Sequence, residues 1–141
     1  MSAPRLAPTV KSTASLSRDP LLQPLKLRHL TLKNRIFSTS HAIRFGRDGL
    51  PLERYQLYHE EKAKGGIALT MFGGSSNVSP DSGAIFGALN LYHDDVIPVL
   101  RQFADRIHRH ETALMVQLTH LGGRSHWRTD GWLPTVAPSR Y

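Results

Sequence analysis

Cysteine is absent from the 141 residues, which excludes disulfides, zinc-thiolate sites and cysteine-ligated iron-sulfur clusters within this chain. No uninterrupted apolar run approaches the roughly 20 residues of a membrane span, and residues 1–18 lack the apolar middle of a secretory signal. A soluble, cytoplasmic protein with no membrane partner is therefore expected. Acidic residues are scarce: 11 Asp plus Glu stand against 18 Lys plus Arg, a formal net charge of +7. That balance suits anionic partners. The basic residues are scattered and no aromatic-interleaved basic patch appears, so a phosphate-bearing small molecule fits better than nucleic acid. A solvated surface that is merely basic satisfies the same count. The leader carries Arg5, Lys11 and Arg18 among Ser, Ala and Pro, with no acidic residue before Asp19. It reads as a disordered basic tail over residues 1–18, although an organellar transit peptide has a similar composition.

Ordered structure is expected from Asp19 onward. Leu25, Leu27, Leu30 and Leu32 alternate with Lys26, Arg28, Thr31 and Lys33, a period of two that predicts a short β-hairpin turning at Arg28 and His29. Residues 36–40 then read as a first parallel strand. Pro51 suits the first position of a helix over residues 52–64, with Gly65-Gly66 as its stop and Glu60 and Lys64 spaced for an i,i+4 ion pair. Residues 67–72 are apolar except for Thr70, as in a strand covered on both faces. A long polar and glycine-rich loop, residues 73–93, follows, and loops of that length are usually functional. Asp94 and Asp95 open a second helix with Pro98 in its tolerant first turn, and Val96, Leu100, Phe103 and Ile107 form its apolar stripe. A third strand covers residues 113–118. Strand, helix, strand, helix, strand implies an α/β fold with a parallel sheet.

A doubly wound open sheet fits that alternation too, but its first strand-to-helix turn should carry a glycine fingerprint for a dinucleotide. Residues 40–46, Ser-His-Ala-Ile-Arg-Phe-Gly, lack one.

The polar residues that break these apolar patterns are the candidates for chemistry. Gln117 lies near the carboxyl end of an apolar strand, so its amide must find partners, either in neighbouring backbone or in a ligand edge of matching donors and acceptors. His120 follows two residues past the strand's core, where an imidazole can orient a ligand or bond loop backbone. Gly73 and Gly74 allow either a close backbone approach to a ligand or simply a turn. The eight histidines show no metal-ligand spacing, and no metal is expected. His59 and His93 read as surface or capping residues.

Taken together, residues 25–36 (Leu-Lys-Leu-Arg-His-Leu-Thr-Leu-Lys-Asn-Arg-Ile), residues 58–70 with Glu-Glu-Lys-Ala-Lys-Gly-Gly, and the Gln117-Leu118-Thr119-His120 segment resemble, in order, the amino-terminal part of the old yellow enzyme family of flavin oxidoreductases. The resemblance spans about residues 19–141. It implies the amino-terminal part of a (β/α)8 TIM barrel preceded by the hairpin. A complete barrel needs about 250 residues, so the chain reads as an incomplete portion of an FMN-binding domain.

The resemblance also implies roles. Gln117 would bond the isoalloxazine ring, and Ser38, Thr39, Ser40 and Gly73 would line it. His41, in place of the commoner apolar residue, is similar to the histidine of amine-oxidising branches and would face the substrate as a catalytic group, as would His120. Arg124 would attract a substrate carboxylate, although Gly122-Gly123 delays it by one residue relative to the usual His-x-Gly-Arg. Ala42 stands where some relatives place a flavin-tethering cysteine, which implies non-covalent FMN. Residues 127–139, with Trp127 and Trp132, resemble the loop after the third strand. NAD(P)H is the implied electron donor, and an activated alkene the implied acceptor. FAD and a 4Fe-4S cluster would belong only to further domains. Partners would be a small-molecule substrate, with homo-oligomerisation left open. Ser-His-Ala and the Trp-Leu-Pro-Thr-Val-Ala-Pro-Ser block look more like the dienoyl-CoA reductase and N-methyl amino acid demethylase branch, so oxidative demethylation is an alternative. A non-catalytic basic binding module is the rival from another class.

Overall fold

A computed structural model describes residues 18–82, 89–123, 136, 137 and 139. The leader, Arg124, Trp127 and Trp132 lie outside the described residues.

A short 3-10 turn, Pro20–Leu22, opens the described chain, capped by Asp19, whose side chain accepts from the Leu21 N–H at 2.9 Å. Strands β1 (Leu25–Leu27) and β2 (Leu30–Leu32) pair antiparallel, and Arg28 takes the left-handed backbone, φ 50°, that so tight a reversal requires. Three strands then form a parallel sheet in the order β3-β4-β7: β3 is Phe37–Ser38, β4 is Leu69–Phe72 and β7 is Ala113–Val116. The crossovers are α1 (Glu53–Lys64) and α2 (Val96–His108). This is the α/β alternation expected from the sequence. The loop between β4 and α2 contains a further short parallel pair, β5 (Ser76–Asn77) with β6 (Leu89–Asn90).

Alternation along the strands divides the side chains into two layers. Phe72, Leu114 and Val116 face the helices, where they pack with Tyr55, Ala63, Phe103 and Ile107. Leu69, Met71 and Ala113 face the other way and meet Leu25 and Leu32 of the hairpin. The hairpin thus closes the sheet's inner face near its amino end. Lys33 and Asn34 peg it there: Lys33 Nζ donates to the His110 carbonyl at 2.7 Å, and Asn34 Nδ2 to the Gly66 carbonyl at 2.7 Å. Farther up the same face, Phe37 and Met115 are 57% and 44% exposed. They form an apolar surface at the open side of the sheet.

Helix α1 departs from expectation in three places. Pro51 precedes it rather than opening it: Leu52 is the N-cap and Pro51 is buried, its carbonyl accepting from Gln56 Nε2 at 3.0 Å. His59, expected at the surface, is 2% exposed, because helical spacing puts it on the face that carries Tyr55 and Ala63 into the core. Glu60 does not pair with Lys64, which instead reaches Glu61 at 2.7 Å. Tertiary structure claims Glu60: it lies between helices and takes Arg106 at 2.8 Å and His110 Nε2 at 3.1 Å. At the other end Gly66 has φ 93°, a conformation that glycine adopts without strain.

The helix-to-helix triad has a measurable consequence. Hydrogen bonds from His110 and Arg106 hold the Glu60 carboxyl below its ordinary range against the opposing effect of burial. A carboxylate with a lowered folded pKa contributes stability that is full above its unfolded value, about 4.3, and is lost as pH falls through the folded value. Glu60→Gln should therefore cost about 2 kcal/mol at neutral pH, between the values for exposed and fully buried pairs. Urea unfolding at pH 7 and again at pH 3 should show that difference shrink in acid.

Candidate active site at the carboxyl rim of the sheet

All three parallel strands end on one rim. Gln117 follows β7, Gly73 follows β4, and Thr39 and Ser40 follow β3. The Gln117 N–H donates to the Phe72 carbonyl at 2.9 Å, which carries the β4-β7 ladder one residue past the strands. The Ser40 hydroxyl bonds Gln117 Oε1. With its oxygen held in that way, the amide keeps its two N–H donors for another partner.

Glycines let the loops close on this point. A Cβ on Gly73, whose φ is 108°, would stand 2.6 Å from Ser76 Oγ and 2.8 Å from the Gln117 carbonyl oxygen. A Cβ on Gly74, φ 75°, would stand 2.5 Å from the His41 carbonyl carbon and 2.6 Å from the Ala42 nitrogen. Beneath them Tyr55, buried in the core, accepts the Gly73 N–H on its hydroxyl at 3.0 Å. Burial raises the Tyr55 pKa, so it stays a neutral phenol.

The predicted residues do not all share this rim. Ser38 turns its side chain toward α1, where its hydroxyl lies 3.2 Å from Thr70 Oγ1 and accepts from Lys62 Nζ at 3.4 Å. Thr39 is exposed. His41 also meets α1: its Nε2 lies 2.7 Å from the Tyr58 hydroxyl, with the rings edge to face at 5.6 Å. The Lys62 ammonium sits 4.4 Å from the centre of the Tyr58 ring. Gln117, Ser40 and Gly73 thus stand together, whereas the Ser38 and His41 side chains face the helix layer.

His120 belongs to a separate polar clasp. Its Nε2 lies 3.2 Å from Asp81 Oδ1, and its Nδ1 accepts the Gly122 N–H at 3.0 Å. Asp81 also receives the Ser79 hydroxyl, and hydrogen bonds from Ser79 and then His120 lower its pKa. Arg124 falls outside the described residues.

Sequence reasoning missed Tyr55, Tyr58, Asp81 and Ser82. Spacing could have found the first, since Tyr55 and His59 are four apart on one helix face. Nothing local marks Asp81, whose partner lies 39 positions away. Among the described residues, no group of three or more His, Cys, Asp or Glu is placed to hold a metal ion. No helix among them is long and apolar enough to cross a membrane.

The donor set suits the pyrimidine edge of a flavin, which presents carbonyl oxygens, a ring N–H and a ring nitrogen in one plane: an amide and small hydroxyls reach it from the strand ends, and glycine lets the backbone come close. The buried hydroxyls of Ser75, Ser76 and Thr119 find no protein partner among the described residues.

The chain is 64% identical over 123 residues to the multifunctional alkene reductase/demethylase OYE of Caballeronia cordobensis, a stretch that is 87% of this chain and 18% of that protein. It is 48% identical over 126 residues to a protein of Rhizobium meliloti (strain 1021) described as "Probable N-methylproline demethylase", covering 89% of this chain and 19% of that one. The chain thus spans less than a fifth of the length of these curated relatives. Among solved structures, the old yellow enzyme from Trypanosoma cruzi matches with a TM-score of 0.65 at 28% identity, over 73% of this chain and 27% of that one. Morphinone reductase in complex with tetrahydroNAD matches in fold with a TM-score of 0.67 at 23% identity, over 76% of this chain and 29% of that one. The pattern of the NADH:flavin oxidoreductase / NADH oxidase family extends over residues 20–139, and the chain belongs to that family.

Proposed function

We propose that this chain is the amino-terminal part of an FMN-binding (β/α)8 barrel, and that the protein passes hydride between a nicotinamide cofactor or a reduced substrate and an acceptor such as an activated alkene. The observation that carries this reading is the Ser40-oriented amide of Gln117 at the shared rim of three parallel strands, with Gly73 packed against its backbone. The exposed inner-face residues Phe37 and Met115 support the barrel: further strands would cover them as the packed interior layer of such a barrel.

FMN, when bound, supplies the hydride-accepting and hydride-donating centre. This chain's contribution is to hold and orient it. Gln117 would offer N–H donors to the ring, Ser40 fixes the direction of that amide, and residues 38–40 with Gly73 would help hold the group. With alanine at position 42 and no cysteine in the chain, no thiol of this chain tethers the flavin. The His41 side chain, bonded to Tyr58, faces α1 and is given no part in holding the ring.

A second reading, oxidative demethylation of an N-methylated amino acid, is favoured by the 48% identity to the Rhizobium meliloti protein. One set of spectra separates the readings. The full-length protein should be yellow, release FMN on denaturation, and bleach anaerobically with NADH or NADPH; reoxidation by an activated alkene then marks a reductase. Bleaching by N-methylproline without any nicotinamide marks a demethylase. Colourless protein that FMN does not reconstitute overturns both and favours a basic binding module.

A further inference from the structure

Both ring nitrogens of His120 are engaged inside the protein. The backbone N–H of Gly122 can only donate, so Nδ1 must be the bare nitrogen, and the one proton of the neutral ring lies on Nε2 facing Asp81. Asp81 is held as a carboxylate by the Ser79 hydroxyl on the same oxygen. One residue on, the Ser82 hydroxyl accepts the Leu121 N–H at 3.0 Å. The backbone continues the seam: Thr119 N–H donates to the Ser76 carbonyl at 2.8 Å, and Val78 N–H to the Thr119 carbonyl at 3.3 Å. At Thr119, His120 and Leu121 the loop after β7 is therefore fastened to the loop after β4.

We propose that His120 is a positioning residue rather than the proton-transfer group its place beside Gln117 suggests, and that Asp81 is its partner in a clasp that sets the register of the Gln117 loop. The proposal rests on the flavin reading for its functional consequence. A general acid or base needs a nitrogen free to face the substrate, and a contribution of that kind is worth about 10²–10⁴-fold in rate. A positioning residue instead acts through how well Gln117 is placed, so its loss falls first on cofactor affinity.

Asparagine and glutamine divide the two functions of the ring. His120→Asn keeps an acceptor for the N–H two residues on, in the manner of an Asx turn, and His120→Gln keeps a donor at the distance of Nε2. Neither can transfer a proton near neutral pH. Hydrogen exchange over residues 117–123 should quicken by about fivefold in His120→Ala and in Asp81→Ala, the equivalent of one net hydrogen bond, and return toward the parent rate in His120→Asn. FMN titration should show weaker binding in both alanine variants and partial rescue in His120→Asn. At saturating FMN, turnover in His120→Asn and His120→Gln should fall by no more than about tenfold. Unchanged exchange and FMN affinity, with turnover reduced a hundredfold or more in both amide variants, would overturn the proposal. If the parent protein takes up no FMN, the flavin reading fails, whereas the exchange rates still decide whether the clasp exists.

Discussion

Gly73→Ala should lower FMN affinity by up to about tenfold and lower stability as well. Position 73 has φ 108°, where a side chain is strained by roughly 1–3 kcal/mol. The added Cβ would also stand 2.8 Å from the Gln117 carbonyl oxygen and 2.6 Å from Ser76 Oγ. Ser76 Oγ can rotate away, but the Gln117 carbonyl is backbone and can retreat only by moving the residue whose amide, in the proposed function, would face the flavin. Backbone strain is present with and without FMN and lowers stability rather than affinity; displacing the Gln117 amide costs at most about what its removal would, about 1.4 kcal/mol or tenfold. Fluorescence titration with FMN reads it directly. Because Gly66 meets nothing within 4 Å of an added Cβ and shares a positive φ of 93°, Gly66→Ala is the matched control, carrying backbone strain without the collision. It should unfold at lower urea yet bind FMN normally.

A larger effect, on stability, should appear in acid. His59 is enclosed by Tyr55, Phe72 and Phe103, with Nδ1 2.7 Å from Thr70 Oγ1 and Nε2 buried without a partner among the described residues. Burial first, then the nearby positive charge of Lys62, lowers its pKa to about 3. The unfolded chain takes up the proton near pH 6.5 and the folded one does not, so stability is full above about 6.5 and declines as pH falls toward the folded value. The slope is about 1.4 kcal/mol per pH unit. By pH 4.5 roughly 3 kcal/mol should be gone. His59→Leu removes the titrating group and should flatten the urea midpoint between pH 6.5 and 4.5, whereas Glu60→Gln should leave that part of the curve in place. An equally steep decline in His59→Leu would show that another group is responsible.

Several elements were legible from the residues because a single period governed them. The stripe Val96, Leu100, Phe103 and Ile107 announced α2, and its Val96, Phe103 and Ile107 are all buried. The apolar run before Gln117 announced β7, though the strand stops at Val116 rather than at residue 118. Helix α1 shows the limit of local rules. Its i,i+4 pair was plausible on an isolated helix, yet Arg106 and His110 outcompeted Lys64 for Glu60, and only tertiary packing brings them there. His59 was legible in principle, since it repeats the position of Tyr55 one turn on, but a polar residue type argued for the surface.

At the rim, Gln117 stood out as an amide in an apolar strand and Gly73 as a glycine at a strand end, whereas Ser40 came from the family resemblance. The directions of Ser38 and His41 did not follow. Which way a residue turns after a strand depends on the helix that packs beside it, here through Thr70, Lys62 and Tyr58. The Asp81-His120 clasp joins two loops with no shared pattern, so no spacing rule could have announced it.

The most direct measurement on the central claim is FMN affinity in Gln117→Leu beside Ser40→Ala. If the strand ends form the flavin platform, Gln117→Leu weakens binding about tenfold, near the value of one or two hydrogen bonds to the ring, and Ser40→Ala weakens it by less, because it only frees the amide to turn. If both variants bind FMN as tightly as the parent protein, the flavin does not lie on this rim.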